Sequence, residues 1–276
     1  MKYKIVSDSS SNMLNLEDVA FSLVPLKILC GSTEFTDNNS LNLEEMVTTL
    51  KKSTCKTSTS CPNPNDWLDA FGDADNIFAI TITSALSGSY NSLIQAKQEY
   101  LNLNPHANIY TIDSLSAGPE MYLIIEKIRQ YILQNVTFED ICKKITAYQS
   151  HTNLLFCLQS LNNLANNGRV SQAVAKISSI LGIRVVGIAD EHGQLKLLEK
   201  CRGEKKAVET IFQEMKRNGY CGGSVRIAHC FNLAAAHALS SLITKEYQNS
   251  DIQIHNCTGL CSYYAEYGGL MIGFEN

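Results

Sequence analysis

The stretch of residues 77–96 constrains the fold of this chain more than any other. It begins with a nearly unbroken apolar run, 77–82, which predicts a buried strand. From Tyr90 onward, apolar side chains recur at helical spacing and predict a helix. A turn with three serines and one glycine, 83–89, lies between them. A strand that feeds directly into a helix in this way is typical of an α/β sheet.

The turn of this unit is a candidate anion site. The first N–H groups of a helix have no partners within the helix and carry partial positive charge. Gly88 would allow a ligand to approach the backbone closely, and Ser87 is a candidate N-cap beside those N–H groups. An ordinary helix cap without a ligand is the alternative, and the stretch taken alone favours that alternative.

Strands and helices alternate along the first half of the chain, which predicts a mostly parallel sheet with flanking helices over residues 1–150. Residues 151–276 carry a hairpin signal at 190–193 and predict a mixed, largely antiparallel sheet with helices. We therefore expect an α/β fold with two domains that divide between these ranges.

Three local predictions depend on shorter signals. Residues 23–29 are mostly apolar and predict one strand, although Pro25 suggests a sheet edge or a strand start. Residues 31–41 predict a polar loop, and residues 171–181 predict a helix.

Composition limits the classes of partner. The chain has 276 residues, a net charge of −4 and no basic block, so a nucleic-acid partner is not expected. No apolar run reaches membrane-spanning length, and the first residues lack the apolar core of a signal peptide. We therefore expect a cytoplasmic protein without an integral membrane segment.

The ten cysteines are scattered singly along the chain. In a chain of this size without an export signal, most are expected to be buried thiols rather than disulfides. Cys257 with Cys261, and Cys221 with Cys230, are candidate metal ligands. No Cys-x-x-Cys pair supports either, so we predict no metal site.

Candidate catalytic groups are few. Ser87 does not lie in a Gly-x-Ser-x-Gly elbow, and no sequence motif places a histidine with Ser87 and an acid. His229, at the end of a predicted strand, is the one histidine kept as a site candidate. No phosphate-binding glycine motif follows a strand, which argues against nucleotide binding. Hydroxyls, backbone N–H groups and an arginine bind an anion more readily than they break a bond.

Hydroxyl-rich segments follow or precede several predicted elements. One of them, 56–60, comes just before an Asn-Pro helix start and is expected to be extended, because a residue that precedes proline avoids the helical region. Thr59 and Ser60 could then point into a cleft, with a solvated loop as the alternative. Loops 8–12 and 113–118 follow predicted strands, and a parallel sheet gathers such strand ends on one edge.

Six short motifs together resemble the DegV family. They are Ser7-Asp8-Ser9-Ser10, Thr59-Ser60-Cys61-Pro62, Leu86-Ser87-Gly88-Ser89-Tyr90-Asn91-Ser92, Asp113-Ser114 with Ser116-Ala117-Gly118, Gly168-Arg169-Val170-Ser171, and Lys200-Cys201-Arg202-Gly203 with Lys206-Ala207. The resemblance covers about residues 3–275. It implies a small acyl-binding domain packed on an α/β domain, with a fatty acid in an internal tunnel and its carboxylate near the junction. In members similar to the fatty-acid-binding subunit of bacterial fatty acid kinase, a separate ATP-binding subunit phosphorylates the carboxylate.

The resemblance also implies roles for single residues. Thr59 and Ser87 fall on positions that hydrogen-bond the carboxylate, and Arg202 falls on an arginine near the headgroup. Where the family has a histidine before a Gly-Pro-Gly turn, this chain has Tyr264, which can donate one hydrogen bond but does not become a cation near neutral pH. Together with the loop arguments, the predicted ligand-binding residues are Thr59, Ser60, Ser87, Gly88, Arg202 and Tyr264.

We therefore predict a non-catalytic, monomeric carrier of a long-chain fatty acid that needs no cofactor. It would present its ligand to an ATP-binding fatty acid kinase subunit. An acyl hydrolase that uses Ser87, and a carrier of another lipid, are the alternatives.

Overall fold

The computed structural model describes residues 2–178 and 181–276 of the chain. The strands are β1 (Tyr3–Asp8), β2 (Ala20–Val24), β3 (Lys27–Cys30), β4 (Thr33–Thr36), β5 (Thr57–Ser60), β6 (Asn76–Thr81), β7 (Asn108–Asp113), β8 (Thr152–Leu158), β9 (Ile183–Ala189), β10 (Leu195–Arg202), β11 (Val225–His229), β12 (Ile252–Asn256) and β13 (Leu270–Glu275). The helices are α1 (Leu43–Lys52), α2 (Pro64–Phe71), α3 (Ser89–Leu103), α4 (Pro119–Leu133), α5 (Phe138–Gln149), α6 (Asn162–Asn166), α7 (Gln172–Ser178), α8 (Glu204–Arg217), α9 (Leu233–Glu246) and α10 (Gly259–Ala265). The helix predicted at 171–181 is α7, and residues 179–180 lie outside the described residues.

Four parallel strands form the sheet of the first half, in the order β2–β1–β6–β7. Every residue of β6 is buried, which confirms the strand predicted from the apolar run. Successive side chains of a strand point to opposite faces. Phe78 and Ile80 therefore enter the core under α4 and α5, while Ile77 and Ala79 enter the core under α2 and α3.

The second half forms a six-stranded sheet in the order β10–β9–β8–β13–β11–β12. Within the described residues, β11 and β12 are its parallel pair, and the other neighbours are antiparallel. Helices α8 and α9 cover one face through a core that includes Ile211, Leu239 and Ile272. The predicted α/β fold, with a parallel first sheet and a mixed, largely antiparallel second sheet, is confirmed.

A third, small antiparallel sheet, β4–β3–β5, corrects two local predictions. The strand predicted at 23–29 is two strands: β2 ends in the parallel sheet, and β3 begins in the small sheet. Pro25 lies between them, because proline has no N–H group to continue a ladder. Strand β4 lies within 31–41, which was predicted to be a loop. Its residues are exposed or half-buried, so they show no apolar alternation that would reveal a strand.

Helix α4 lies between the two large sheets. Its apolar face packs in the core under the first sheet. Strand β13 of the second sheet approaches its start so closely that a β-carbon at Gly273 would lie 2.5 Å from backbone atoms of Pro119. Glu126 of α4 accepts a 2.8 Å hydrogen bond from Nε of the buried Arg226 on β11. Helix α4 therefore packs with both large sheets, and these contacts do not mark a boundary at residue 150. The division of the chain there remains a prediction.

All ten cysteines are free thiols, and six of them are buried: Cys30, Cys157, Cys201, Cys230, Cys257 and Cys261. Most of them are therefore buried thiols, as predicted. In the part of the chain that the structure describes, no group of three histidines, cysteines or acids is placed to hold a metal ion. The described helices include none long and apolar enough to cross a bilayer.

Glu120, in the first turn of α4, is a buried acid at the junction of the two large sheets. Its carboxyl accepts a 2.7 Å hydrogen bond from Thr152 Oγ1 and another from the Ser116 hydroxyl. Burial raises the pKa of Glu120 to about 7, although the two hydrogen bonds lower it. The folded chain therefore holds this proton more tightly than the unfolded chain does.

We expect the free energy of unfolding to fall between pH 5 and pH 8. A group whose pKa is raised on folding stabilises the fold below its unfolded pKa and loses that contribution as the pH rises through its folded pKa. Glu120 should account for a loss of about 2–3 kcal/mol over this range. Glu120→Gln cannot ionise and should remove that part of the dependence.

Urea unfolding of both proteins at pH 5 and pH 8 measures the difference. The buried Asp37, whose pKa is also raised, is common to both proteins and cancels in the comparison. An identical pH dependence in wild type and Glu120→Gln would show that the burial of Glu120 does not control this titration.

Candidate functional site

An apolar cavity lies between the two large sheets and takes its wall from both halves of the chain. Four side chains of the wall carry hydroxyl groups or charge: Thr59, Ser87, Arg169 and Tyr264. The other lining side chains are apolar, and Cys261 adds a thiol. The contacts among these four determine what the cavity can hold.

The hydrogen bond between Thr59 and Tyr264 lies at the polar end of the cavity. Thr59 Oγ1 and the Tyr264 hydroxyl are 2.7 Å apart. Side chains alternate along β5, so Thr57 shares this face, and its Oγ1 lies 2.7 Å from the hydroxyl of Tyr263. Ser60 is exposed, donates to a backbone carbonyl at 3.3 Å and does not line the cavity. The predicted extended segment is therefore present, but it brings only one of its two predicted hydroxyls to the cavity.

Helix α10, which carries Tyr264, is held at its start by a buried carboxylate. Asp37 accepts hydrogen bonds from the N–H groups of Gly259 and Leu260, at 2.6 and 2.9 Å. Burial raises the pKa of Asp37 to about 6, although its hydrogen bonds lower it. A β-carbon at Gly259 would lie 2.5 Å from Leu41 Cδ2 and 2.7 Å from Asp37 Oδ1, so a larger residue here would have to displace these side chains. The sequence gives no sign of this helix, because it has seven residues and its cap lies 222 positions earlier.

A second buried carboxylate, Asp8 at the end of β1, holds the loop that carries Ser87. It accepts hydrogen bonds from Ile82 N at 3.0 Å and from Ser89 Oγ at 2.7 Å. Burial raises the pKa of Asp8, while these hydrogen bonds lower it. The hydroxyl-rich loops after β1 and β6 therefore meet at one edge of the parallel sheet, as expected from the strand order.

The strand–turn–helix unit brings Ser87, but not Gly88, to the cavity. Gly88 is the N-cap of α3 and is exposed, and a β-carbon on it would lie 3.2 Å from Cys61 Sγ. Ser87 Oγ accepts the N–H group of Ser89 at 3.2 Å. Because the oxygen is the acceptor in that bond, the hydroxyl proton of Ser87 can still be donated to an anion in the cavity.

Arg169 supplies a positive charge next to these hydroxyls. Its Nε donates to the Leu86 carbonyl at 3.1 Å, and its Nη1 donates to the Asn167 carbonyl. Its Cζ lies 6.0 Å from the ring centroid of Tyr264. Both acceptors are neutral, and no carboxylate among the described residues pairs with Arg169. A cation without a counter-ion, at one end of an apolar cavity, is suited to an anionic headgroup.

Two predicted candidates lie away from this cluster. Arg202 is at the exposed end of β10 and does not line the cavity. His229 is buried at the end of β11, where its Nδ1 accepts the N–H group of Asn232 at 3.3 Å and burial lowers its pKa. Of the two arginines, Arg169 lines the cavity and Arg202 does not. Arg169 lies in a motif that the sequence contains, but only the packing of the loop after α6 shows that it faces the cavity.

The whole length of the chain matches one family of proteins. A family model for uncharacterised proteins of the DegV family matches residues 2–275. A DegV domain-containing protein of Streptococcus pyogenes serotype M1 is 43% identical over 279 residues, which cover 100% of both chains.

Two crystal structures match both in sequence and in fold. The Streptococcus pneumoniae Fatty Acid Kinase (Fak) B3 protein, loaded with linoleic acid, is 42% identical with a TM-score of 0.98, over 100% of this chain and 99% of that one. A DegV family protein from Eubacterium eligens, loaded with heptadecanoic acid, is 41% identical with a TM-score of 0.97, over 99% of each chain. Since the family model and these relatives extend over nearly the entire sequence, this chain belongs to the DegV family.

Proposed function

We propose that this chain binds one long-chain fatty acid in the cavity, with the carboxylate at Arg169, Ser87, Thr59 and Tyr264. The observation that carries this proposal is the unpaired charge of Arg169 at the polar end of an otherwise apolar cavity. A carboxylate would neutralise that charge, and an alkyl chain would fill the apolar space. Such binding needs no cofactor.

The headgroup would be held by charge-assisted hydrogen bonds. Ser87 has a proton to donate, and one hydroxyl of the Thr59–Tyr264 pair donates to the other, which leaves the second proton for the ligand. Burial raises the pKa of the Tyr264 phenol, so it stays protonated near neutral pH. Where the family has a histidine, this chain would use a neutral donor whose charge does not change near neutral pH.

The acyl chain would supply most of the affinity. Burial of roughly fourteen methylene groups, at about 0.8 kcal/mol each, is worth on the order of 11 kcal/mol. Loss of ligand freedom costs about 4 kcal/mol or more. The remainder is compatible with a ligand that stays bound during purification, provided that the carboxylate is fully hydrogen-bonded. The related structures that hold linoleic and heptadecanoic acid support a ligand of this class.

Separate substitutions of two arginines by methionine test where the headgroup lies. Arg169→Met should weaken fatty acid binding about tenfold or more, because a hydrogen bond to a charged group contributes roughly 1.5–3 kcal/mol. Arg202→Met is the matched control and should bind like wild type, since Arg202 is exposed outside the cavity. Delipidated proteins are titrated with a natural long-chain fatty acid in a calorimeter.

The opposite result, with weaker binding in Arg202→Met alone, would favour the role implied by the resemblance. A wild-type chain that neither retains a fatty acid through purification nor binds one on titration would contradict the proposed function itself.

The hydroxyls are tested by a second set of variants. Thr59→Val and Ser87→Ala should each weaken binding by about tenfold, and losing both should be less than additive if the carboxylate turns toward Arg169. Ser60→Ala, on the exposed face of the same strand, should have no effect. The methyl ester of the same acid lacks the charge and should lose less affinity than the acid in the double variant. Wild-type affinity for the acid in both single variants would rule out this headgroup site.

We further infer that the bound acid is presented to an ATP-binding kinase subunit. The likeness to the Fak B3 protein supports a kinase partner, and this sequence contains no phosphate-binding glycine motif of its own. A serine hydrolase finds no support, since among the described residues no histidine or acid bonds Ser87, whose oxygen already accepts the Ser89 N–H group. A monomer in the cytoplasm, where ATP is available, remains part of this proposal.

The partner reaction would convert the carboxylate and ATP into an acyl phosphate and ADP. The loaded chain, ATP and the ATP-binding subunit of a bacterial fatty acid kinase are incubated together, and acyl phosphate is trapped with hydroxylamine as the hydroxamate. We expect product only when all three are present. Failure with active kinase subunits from several bacteria would argue against presentation, and ester hydrolysis by this chain alone would favour the hydrolase.

A further inference from the structure

Two neighbouring side chains of the cavity wall differ in how firmly they are held. Met271 is buried on β13, opposite Phe156 of β8. The ring of Phe156 rests against Gly187, where a β-carbon would lie 2.2 Å from the ring. Met271 has an unbranched side chain with three rotatable bonds and a polarisable sulfur, which suits it to irregular spaces. Of these two residues, Met271 is therefore the one that can adapt to a ligand.

The tip of Met271 occupies a space beside Gly118. A β-carbon at Gly118 would lie 2.9 Å from Met271 Cε and 3.5 Å from its Sδ. Gly118 has a φ of +58°, which glycine adopts without strain, and it immediately precedes α4. The missing side chain leaves room that we call the Gly118 notch, and the thioether of Met271 fills it.

The Gly118 notch lies next to the apolar part of the cavity. The carbonyl of Ser10 accepts the N–H group of Gly118 at 2.7 Å and the thiol of Cys261 at 3.3 Å. Cys261 lines the cavity on α10, about one helical turn before Tyr264 at the polar end. Met271, which also lines the cavity, thus faces the space beyond the proposed headgroup, where an acyl chain would run.

We propose that Met271 and the Gly118 notch set the local width of the cavity and, with it, the preference between straight and kinked acyl chains. With its tip in the notch, Met271 leaves width for the bend of a cis double bond. A side chain too short to reach the notch, but branched, would place its bulk in the cavity and favour a straight, saturated chain. This inference rests on the proposed fatty acid binding and adds the shape of ligand that the site prefers.

Two substitutions change the width in opposite directions. Met271→Leu keeps a similar volume but carries its branch closer to the backbone, so it should narrow the cavity. Met271→Ala removes the side chain beyond the β-carbon and should widen it. Met215→Leu is the matched control, because Met215 is buried in the core under α8 and does not line the cavity.

The measurement is a competition between two acids of equal length. Delipidated wild type and the three variants are loaded with an equimolar excess of stearic and oleic acid, repurified and extracted, and the bound acids are quantified by gas chromatography. The ratio of oleic to stearic acid should fall about threefold or more in Met271→Leu and rise by a similar factor in Met271→Ala. It should not change in Met215→Leu.

The outcomes separate this inference from the proposed function. An unchanged ratio in both Met271 variants, with about one acid bound per chain, would overturn the role of the Gly118 notch and leave fatty acid binding intact. If wild type binds neither acid, the proposed function fails instead. Circular dichroism checks each fold, and Met271→Leu decides alone if Met271→Ala does not fold, since a leucine exchange at a buried methionine usually costs less than about 1.5 kcal/mol.

Discussion

Two buried carboxylates hold the polar end of the cavity in place. Asp8 binds the Ile82 N–H group just after β6 and the Ser89 hydroxyl at the start of α3, and Asp37 binds the first N–H groups of α10. A buried carboxylate without donors would be very costly, so each acid fixes the segment that supplies its hydrogen bonds. Ser87 and Tyr264 belong to those two segments. Their positions in the cavity therefore depend on acids that do not themselves line it.

Arg169 differs from these acids, because among the described residues no group of opposite charge pairs with it. Its guanidinium is held by two backbone carbonyls and keeps its orientation without a bound anion. Donors that are already oriented lose little freedom when a ligand binds, which favours affinity. Neither a guanidinium nor the Tyr264 phenol changes charge near neutral pH. Any pH dependence of the headgroup site near neutral pH would then come through Asp37, whose carboxyl holds the start of α10 and whose pKa burial raises to about 6.

The sequence predicts the parts of the site that depend on local order. The strand and helix around Ser87 can be predicted from periodicity within twenty residues. Periodicity does not show whether a hydroxyl points into the cavity or toward solvent. Thr59 faces the cavity and Ser60 faces solvent because β5 pairs with β3 in one register, Ile28 opposite Thr59. The apolar pattern of residues 23–29 predicts a single strand in place of β2 and β3, so it cannot predict that register. The choice between Arg169 and Arg202 likewise depends on packing between distant segments.

A ligand in this cavity would form part of the hydrophobic core. The wall joins Leu260 and Ala117, which pack with α4, to Leu154 and Phe156 of the second sheet, so an alkyl chain would contact both halves at once. A ligand that binds only the folded chain stabilises it, by about 2.7 kcal/mol when its free concentration is 100 times its Kd. A carrier of this design loses that stabilisation when its ligand leaves. Movement of the cavity wall into the space that the acyl chain leaves would offset part of this loss and make release easier. The flexible thioether of Met271 can make such a movement at little cost.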